Sequence, residues 1–138
     1  MSRKMVEEFD HELLKSAKTP AAEHLFKTNN NCEKINEKMA ADFHTFTAKG
    51  LFLCKRGRPD IQTAIAFLTT RVKEPDQDDW KKLLRMVTYL YDTKDLVLTL
   101  EADDLRMMRW YIDASWFAVQ EDMHGHTRSG MTIGKKYL

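Results

Sequence analysis

Cysteine is scarce in this chain. Of 138 residues only two are cysteines, Cys32 and Cys54, far apart and without Cys or His partners at metal-finger spacing. A zinc finger is thereby excluded, a disulfide would need secretion, and free thiols in a reducing compartment are expected. Net charge is lacking as well: 22 basic against 21 acidic residues leave +1, so any basic footprint for nucleic acid must be local. No apolar run approaches the length of a membrane span. The start Met1-Ser2-Arg3-Lys4-Met5-Val6-Glu7-Glu8 has no apolar core of a signal peptide. The expectation is an intracellular, non-secreted chain without a membrane partner, its compartment (cytoplasm or nucleus) left open. There is no phosphate-cradling glycine loop, no Gly-x-Ser-x-Gly elbow and no internal repeat. His11-Glu12-Leu13-Leu14-Lys15 fails as a zinc-protease motif, because Lys15 stands where the second histidine is needed.

What is present is a hydrophobic content of 43%, enough for a modest core in one ordinary domain or two small pieces. Apolar Met5, Val6, Phe9, Leu13 and Leu14 predict a helix over 4–15, barred beyond Lys18-Thr19-Pro20. The Asn29-Asn30-Asn31 run predicts an exposed linker. Three helices are then expected. The first spans Glu37–Cys54, with Met39, Phe43, Phe46 and Gly50 on one face. The second is capped by Asp60 and buries Ile61, Ala64, Ile65, Leu68 and Val72. The third opens on a capping box of Asp76 and Asp79, with the face Trp80, Leu83, Leu84, Val87, Leu90 and Tyr91. None of these stripes buries itself alone, so a small antiparallel bundle is predicted. The period then changes to that of strands: Leu96–Leu100, a polar turn Glu101–Asp104, Met107–Asp113, and a third strand near Gly130–Gly134. The fold class is α+β: a helical bundle followed by a short antiparallel meander. The expected divisions are 1–36, 37–92, 93–105 and 106–138. The meander leaves an unpaired edge, which predicts that 106–138 is loosely held or pairs with another chain.

Candidate site residues fall in two groups. Lys55-Arg56-Gly57-Arg58 puts three positive charges in four residues, and Lys81, Lys82 and Arg85 repeat basic character on one helix; both are also readable as solvated surface. Asp113 follows the aromatic strand Arg109-Trp110-Tyr111-Ile112, where a rigid backbone would present a carboxylate at its end; the plainer role is a turn or cap. Asp78-Asp79 and Asp103-Asp104 are unsuited as a polymerase pair, since one opens a helix and the other lies in a polar turn. His124-Gly125-His126 reads as a loop without a metal role.

The order of these pieces resembles the polymerase polyprotein of copia-type long-terminal-repeat retrotransposons. The matching blocks are Thr19-Pro20; Arg58-Pro59-Asp60-Ile61; Trp80 with Arg85 and Tyr89-Leu90; Thr93, Asp95 and Leu98; Asp113-Ala114-Ser115-Trp116; and Thr127-Arg128-Ser129-Gly130. They cover essentially the whole chain. The resemblance implies the thumb of a reverse transcriptase, an RNA-directed DNA polymerase, running into the start of ribonuclease H. It implies that Lys55, Arg56, Arg58, Lys81, Lys82 and Arg85 contact the phosphates of an RNA–DNA or DNA duplex. Asp113 becomes the first ribonuclease H carboxylate, a magnesium ligand in the parent family. The polymerase aspartate pair would fall before Met1 and the remaining ribonuclease H acids beyond Leu138. Arg128 intrudes in the Thr-Ser-Gly motif, and Asp92 takes a glycine's place at a left-handed turn. The expectation is therefore a fragment not catalytic alone and holding no cofactor of its own, with other parts of the polyprotein as further partners. Two alternatives stay open. One is a free-standing nucleic-acid-binding or protein-interaction module; the other is an active nuclease in which Asp113 finds Glu121, Asp122 or a second chain.

Overall fold

In the computed structural model, which describes residues 2–29, 31–98, 106–119 and 124–133, the first apolar stripe gives only a short helix, α1 (Ser2–Glu7). The helix expected over 4–15 stops early because Phe9 turns inward, its ring 4.7 Å from that of Phe46 and 6.1 Å from that of Trp80. The described residues of 20–35 carry no regular helix or strand, yet they are not a bare linker. Leu25 and Ile35 are buried in the same core as Met5 and Phe9. The Asn29 carbonyl accepts from the Cys32 N–H at 3.0 Å.

Asn36 then starts α2 (Glu37–Arg56) by accepting from the Met39 N–H at 2.8 Å, which satisfies one of the donors left over at a helix start. Phe43, Phe46 and Gly50 are buried on its inner face as expected, with Leu53 and Cys54 continuing the stripe. Pro59–Ile61 is a single 3-10 turn, and α3 (Gln62–Thr70) follows it. Asp60 is not its cap: no side chain caps either start, and the Asp60 carboxylate is held by Arg58 and Tyr89 instead. Ile61, Ala64, Ile65 and Leu68 are fully buried, together with Phe67.

The third start is the best defined. In α4 (Gln77–Asp92) Asp76 accepts from the Asp78 and Asp79 N–H groups, and Asp79 accepts in return from the Asp76 N–H, closing a capping box. Arg71 adds its Nε to Asp79 at 2.9 Å. Burial pushes the Asp79 carboxyl above its ordinary range, and the bond to Arg71 pulls it back only in part. Burial also works against the Arg71 charge, but the bonds and attraction of Asp79 and Asp76 together outweigh it, and its affinity for its proton rises. Asp76→Ala is expected to cost about 1–2 kcal/mol, since it removes the acceptor for two buried or half-buried donors. Thermal unfolding of the single variant checks this.

The beginnings of α2 and α4 lie side by side, tied by Gln77 N–H to the Glu33 carbonyl at 3.0 Å and by a lone bridge between Lys34 and Asp76. Their ends also meet, where Arg58 donates to the Thr93 carbonyl at 3.0 Å. The two long helices therefore run in the same direction, and α3 returns against both. Gly50 permits this closeness: a Cβ there would lie 2.7 Å from Ile65 Cδ1 and 3.4 Å from Met86 Cε. Both are ends of flexible side chains. Gly50→Ala is thus expected to fall within about 1 kcal/mol of neutral, helix propensity offsetting the strain. Gly50→Leu should cost about 3 kcal/mol by overpacking. Urea unfolding of the pair tests the difference.

The chain divides into two units, Met1–Val97 and Leu98–Leu138. All the helices among the described residues belong to the first. The second holds a two-stranded antiparallel sheet, β1 (Met108–Val119) and β2 (His124–Ile133). The fold class is α+β as expected, with corrections to the strands. Residues 96–98 of the expected first strand are not extended pairing partners; residues 99–105, with the rest of that strand, the turn and Asp103-Asp104, lie outside the described residues. The other two strands are longer than expected and pair with each other. In register, Met108 lies opposite Ile133, Arg109 opposite Thr132, Trp110 opposite Met131, Tyr111 opposite Gly130, Ile112 opposite Ser129 and Asp113 opposite Arg128.

Candidate nucleic-acid interface

The basic side chains singled out from the sequence occupy three different environments. Arg58 is the most enclosed, at 4% exposure. Its Nε lies 2.9 Å and its Nη2 2.7 Å from the Asp60 carboxylate, and its Nη1 and Nη2 donate to the carbonyl and hydroxyl of Thr93. The Tyr89 hydroxyl donates to the same carboxylate at 2.8 Å, and the guanidinium lies 5.4 Å from the Tyr89 ring centre. Burial works against both charges, but these bonds outweigh it: the Arg58 proton is held more firmly than usual, and the Asp60 carboxyl sits below its ordinary range. Arg58 thus ties the α2–α3 junction to the last turn of α4. Its donors are directed into the protein.

Lys81, Lys82 and Arg85 lie on the early turns of α4, but they do not project from a bare outward face. Residues 14–19 run along this helix: Leu14 N–H donates to Thr88 Oγ1 at 3.1 Å, and Ala17 N–H to Asp92 Oδ2 at 2.8 Å. Asp92 therefore does not form the left-handed turn expected of it; it stays in α4 and uses its carboxylate as an acceptor. Lys82 is 7% exposed, paired with Asp78 at 2.8 Å, and donates to the Lys27 carbonyl at 2.6 Å. Its ammonium also lies 4.7 Å from the Phe67 ring centre. Arg85 is half-buried, and its Nη2 donates to Thr19 Oγ1 at 2.9 Å. Lys81 is exposed. Between α4 and this segment is a cleft of about 260 Å³, walled by Lys81, Lys82, Arg85 and Asp78 on the helix side. Leu14, Ala21, Ala22, His24 and Leu25 close the other side. No periodicity in the irregular 14–25 stretch announced these residues. The closest hint was Thr19-Pro20, which bars a helix and lets the chain lie extended.

Lys55 and Arg56 form the third environment, in the last turn of α2, where cations complement the helix dipole. Both are exposed, and Arg56 lies 4.7 Å from the ring centre of Phe52. The structure therefore brings Lys81, Lys82 and Arg85 together and leaves Lys55 and Arg56 at the far end of the bundle. From Arg85 to Thr93, near the latter pair, α4 rises about 12 Å.

Asp113 is exposed within β1, not at its end, because the strand continues to Val119. Its register partner is Arg128. Its proposed acidic partners, Glu121 and Asp122, lie outside the described residues. His124 and His126 fall in β2, opposite Val119 and Ser115, rather than in a loop. Among the described residues no group of three or more His, Cys, Asp or Glu side chains converges to hold a metal. A two-cation phosphoryl-transfer centre needs several hard oxygen ligands, of which Asp113 is a single one. Both cysteines are free thiols, Cys54 buried and Cys32 half-buried.

No protein-family model matches the chain, and no solved structure matches it. A protein of Saccharomyces cerevisiae named for the transposon Ty5-1 is 27% identical to it over 82 residues, 59% of this chain. The chain spans 27% of that relative's length. Among the described residues, no helix is long and apolar enough to cross a membrane. By sequence the chain is similar to a transposon protein.

Proposed function

We propose that this chain is a retrotransposon-derived segment of a copia-type reverse transcriptase–ribonuclease H polyprotein. In this reading its helical unit serves as a thumb that contacts template–primer duplex without catalysis of its own. Its partners are RNA–DNA or DNA duplex and neighbouring parts of the polyprotein. The similarity to the Ty5-1 protein supports the origin. The surface rests on one observation: Lys55, Arg56 and Lys81 are exposed, and none forms an ion pair with a carboxylate among the described residues. Arg85 joins them at the cleft edge, while Arg58 and Lys82 brace the unit from within. Contacts of this kind position a duplex through its phosphates and carry no sequence information.

The test is the mobility of a labelled RNA–DNA hybrid at low and moderate salt, with and without magnesium. Retardation at low salt, release at moderate salt and intact nucleic acid are expected, because each neutralised phosphate releases counterions. Lys81→Ala should weaken binding across all sequences and reduce the salt slope by about 1. An unretarded hybrid at low salt would remove the thumb reading. Magnesium-dependent cleavage abolished by Asp113→Asn would restore the nuclease alternative.

A further inference from the structure

We propose that the cleft between α4 and residues 14–25 binds a phosphate monoester. The cleft is about 260 Å³, below the roughly 300–1,000 Å³ of pockets for larger ligands. It can take one phosphate and a small organic group, and no duplex can enter it. The inference therefore goes beyond the duplex reading and does not depend on it.

The charge balance selects the ligand. Of the three cations on the helix wall, Lys82 is already offset by Asp78 at 2.8 Å. Lys81 and Arg85 have no such carboxylate among the described residues. A single carboxylate would answer one of them. A phosphate monoester carries about −1.5 to −2 charge at neutral pH and three acceptor oxygens, and so answers both. Arg85 shows a second sign. Its Nη2 is satisfied by Thr19, but its Nε is buried without any hydrogen-bond partner. A buried orphan donor on a cation is costly and calls for an acceptor. The flexible stem lets the guanidinium turn its Nε edge toward an anion in the cleft, in the forked geometry arginine offers phosphate. Opposite, Ala21, Ala22 and Leu25 provide the apolar wall for the organic group.

Arginine Nε–H groups give their own signals in a ¹⁵N-correlated spectrum, so the full chain can be titrated with inorganic phosphate at constant ionic strength, with chloride as control. Saturable shifts at the Arg85 Nε–H and the Ala21 and Ala22 amides are expected. Lys81→Gln, an exposed position that should not disturb folding, should weaken them about fivefold or more. Absence of saturable shifts, equal shifts with chloride, or an unchanged affinity in Lys81→Gln would overturn the site. Three further ligands identify the source: a nucleoside 5′-monophosphate, a 5′-phosphorylated oligonucleotide and the same strand unphosphorylated. Tighter binding of the free nucleotide upholds a small-molecule site, and tighter binding of the phosphorylated strand upholds a strand-end site. Equal binding of the two strands, both above the nucleotide, would mean diester contacts and refute the monoester. A phosphate response without hybrid retardation would remove the thumb reading alone, and retardation without a phosphate response would remove this site alone.

Discussion

Arg58→Met is expected to lower the stability of the helical unit by about 2–3 kcal/mol, the cost of removing the charged hydrogen bonds that a buried guanidinium makes to a carboxylate itself partly open to solvent. Methionine keeps much of the stem's packing, so the loss reports the guanidinium. Three groups lose a partner at once: the Asp60 carboxylate, the Thr93 carbonyl and the Thr93 hydroxyl. Adding Asp60→Asn should recover part of the loss, since no uncompensated charge then remains. Urea midpoints of the wild type, both singles and the double complete the cycle. Equal losses in the single and double variants would show that the carboxylate never needed its partner. The same cluster sets an acid sensitivity. The Asp60 carboxyl sits below its ordinary value of 3.8 in the folded protein, burial opposing this and the bonds from Arg58 and Tyr89 enforcing it. A depressed acid stabilises the fold fully above the unfolded value, and this is lost as pH falls through the folded one. The wild type should therefore shed this contribution only below about pH 4. Arg58→Met should lack that acid step.

Trp80→Ala is expected to cost a further large amount, about 3–5 kcal/mol. Its ring is the meeting point of separate pieces of chain. Phe9 stacks on it at 6.1 Å between centres, and His11 meets it edge-on at 4.8 Å. His11 in turn pairs with Asp42 of α2 at 2.9 Å. Deleting the indole leaves a cavity and also frees the N-terminal strap. Hydrogen exchange separates the two effects. The Leu14 and Ala17 amides, which donate to Thr88 and Asp92, should lose protection before the amides of α2 and α3 do. Trp110, 62% exposed on β1, supplies the contrast: its replacement by alanine should change the stability of the helical unit by no more than about 0.5 kcal/mol.

The parts readable from the sequence were those with local causes. Asp76 and Asp79 stand three apart before an apolar stripe, and the capping box formed there. The faces built on Phe43, Phe46 and Gly50, and on Ile61, Ala64, Ile65 and Leu68, follow from the 3.6-residue period alone. Errors arose where a distant partner decided the outcome. Phe9 looked helical until Phe46 and Trp80 claimed its ring. Asp60 had the right position for a cap, but Arg58 and Tyr89 took its oxygens. Asp92 has the character of a turn residue, and nothing nearby in the sequence reveals that Ala17 donates to it. The basic residues show the same limit. Lys55, Arg56 and Lys81 are exposed as a solvated face would be, whereas Arg58 and Lys82 are turned inward by carboxylates two and four residues away. Spacing identified those cations but not the cleft, because its other wall comes from the irregular stretch 14–25.

The docking of the first residues on the last helix also sets an order in time. A ribosome releases Phe9, Leu14 and Ala17 long before Trp80, Thr88 and Asp92 exist to receive them. At about 5–20 residues per second, the interval from Phe9 to Asp92 is roughly 4–17 s. Through that interval residues 5–17 can reach only the part of their final partners that α2 supplies, Phe46 and Asp42, and stay open to chaperones and proteases. Arg3 finds Asp95 only after synthesis has passed the end of α4. Translation speed across 80–95 would then set how long the newborn protein stays vulnerable.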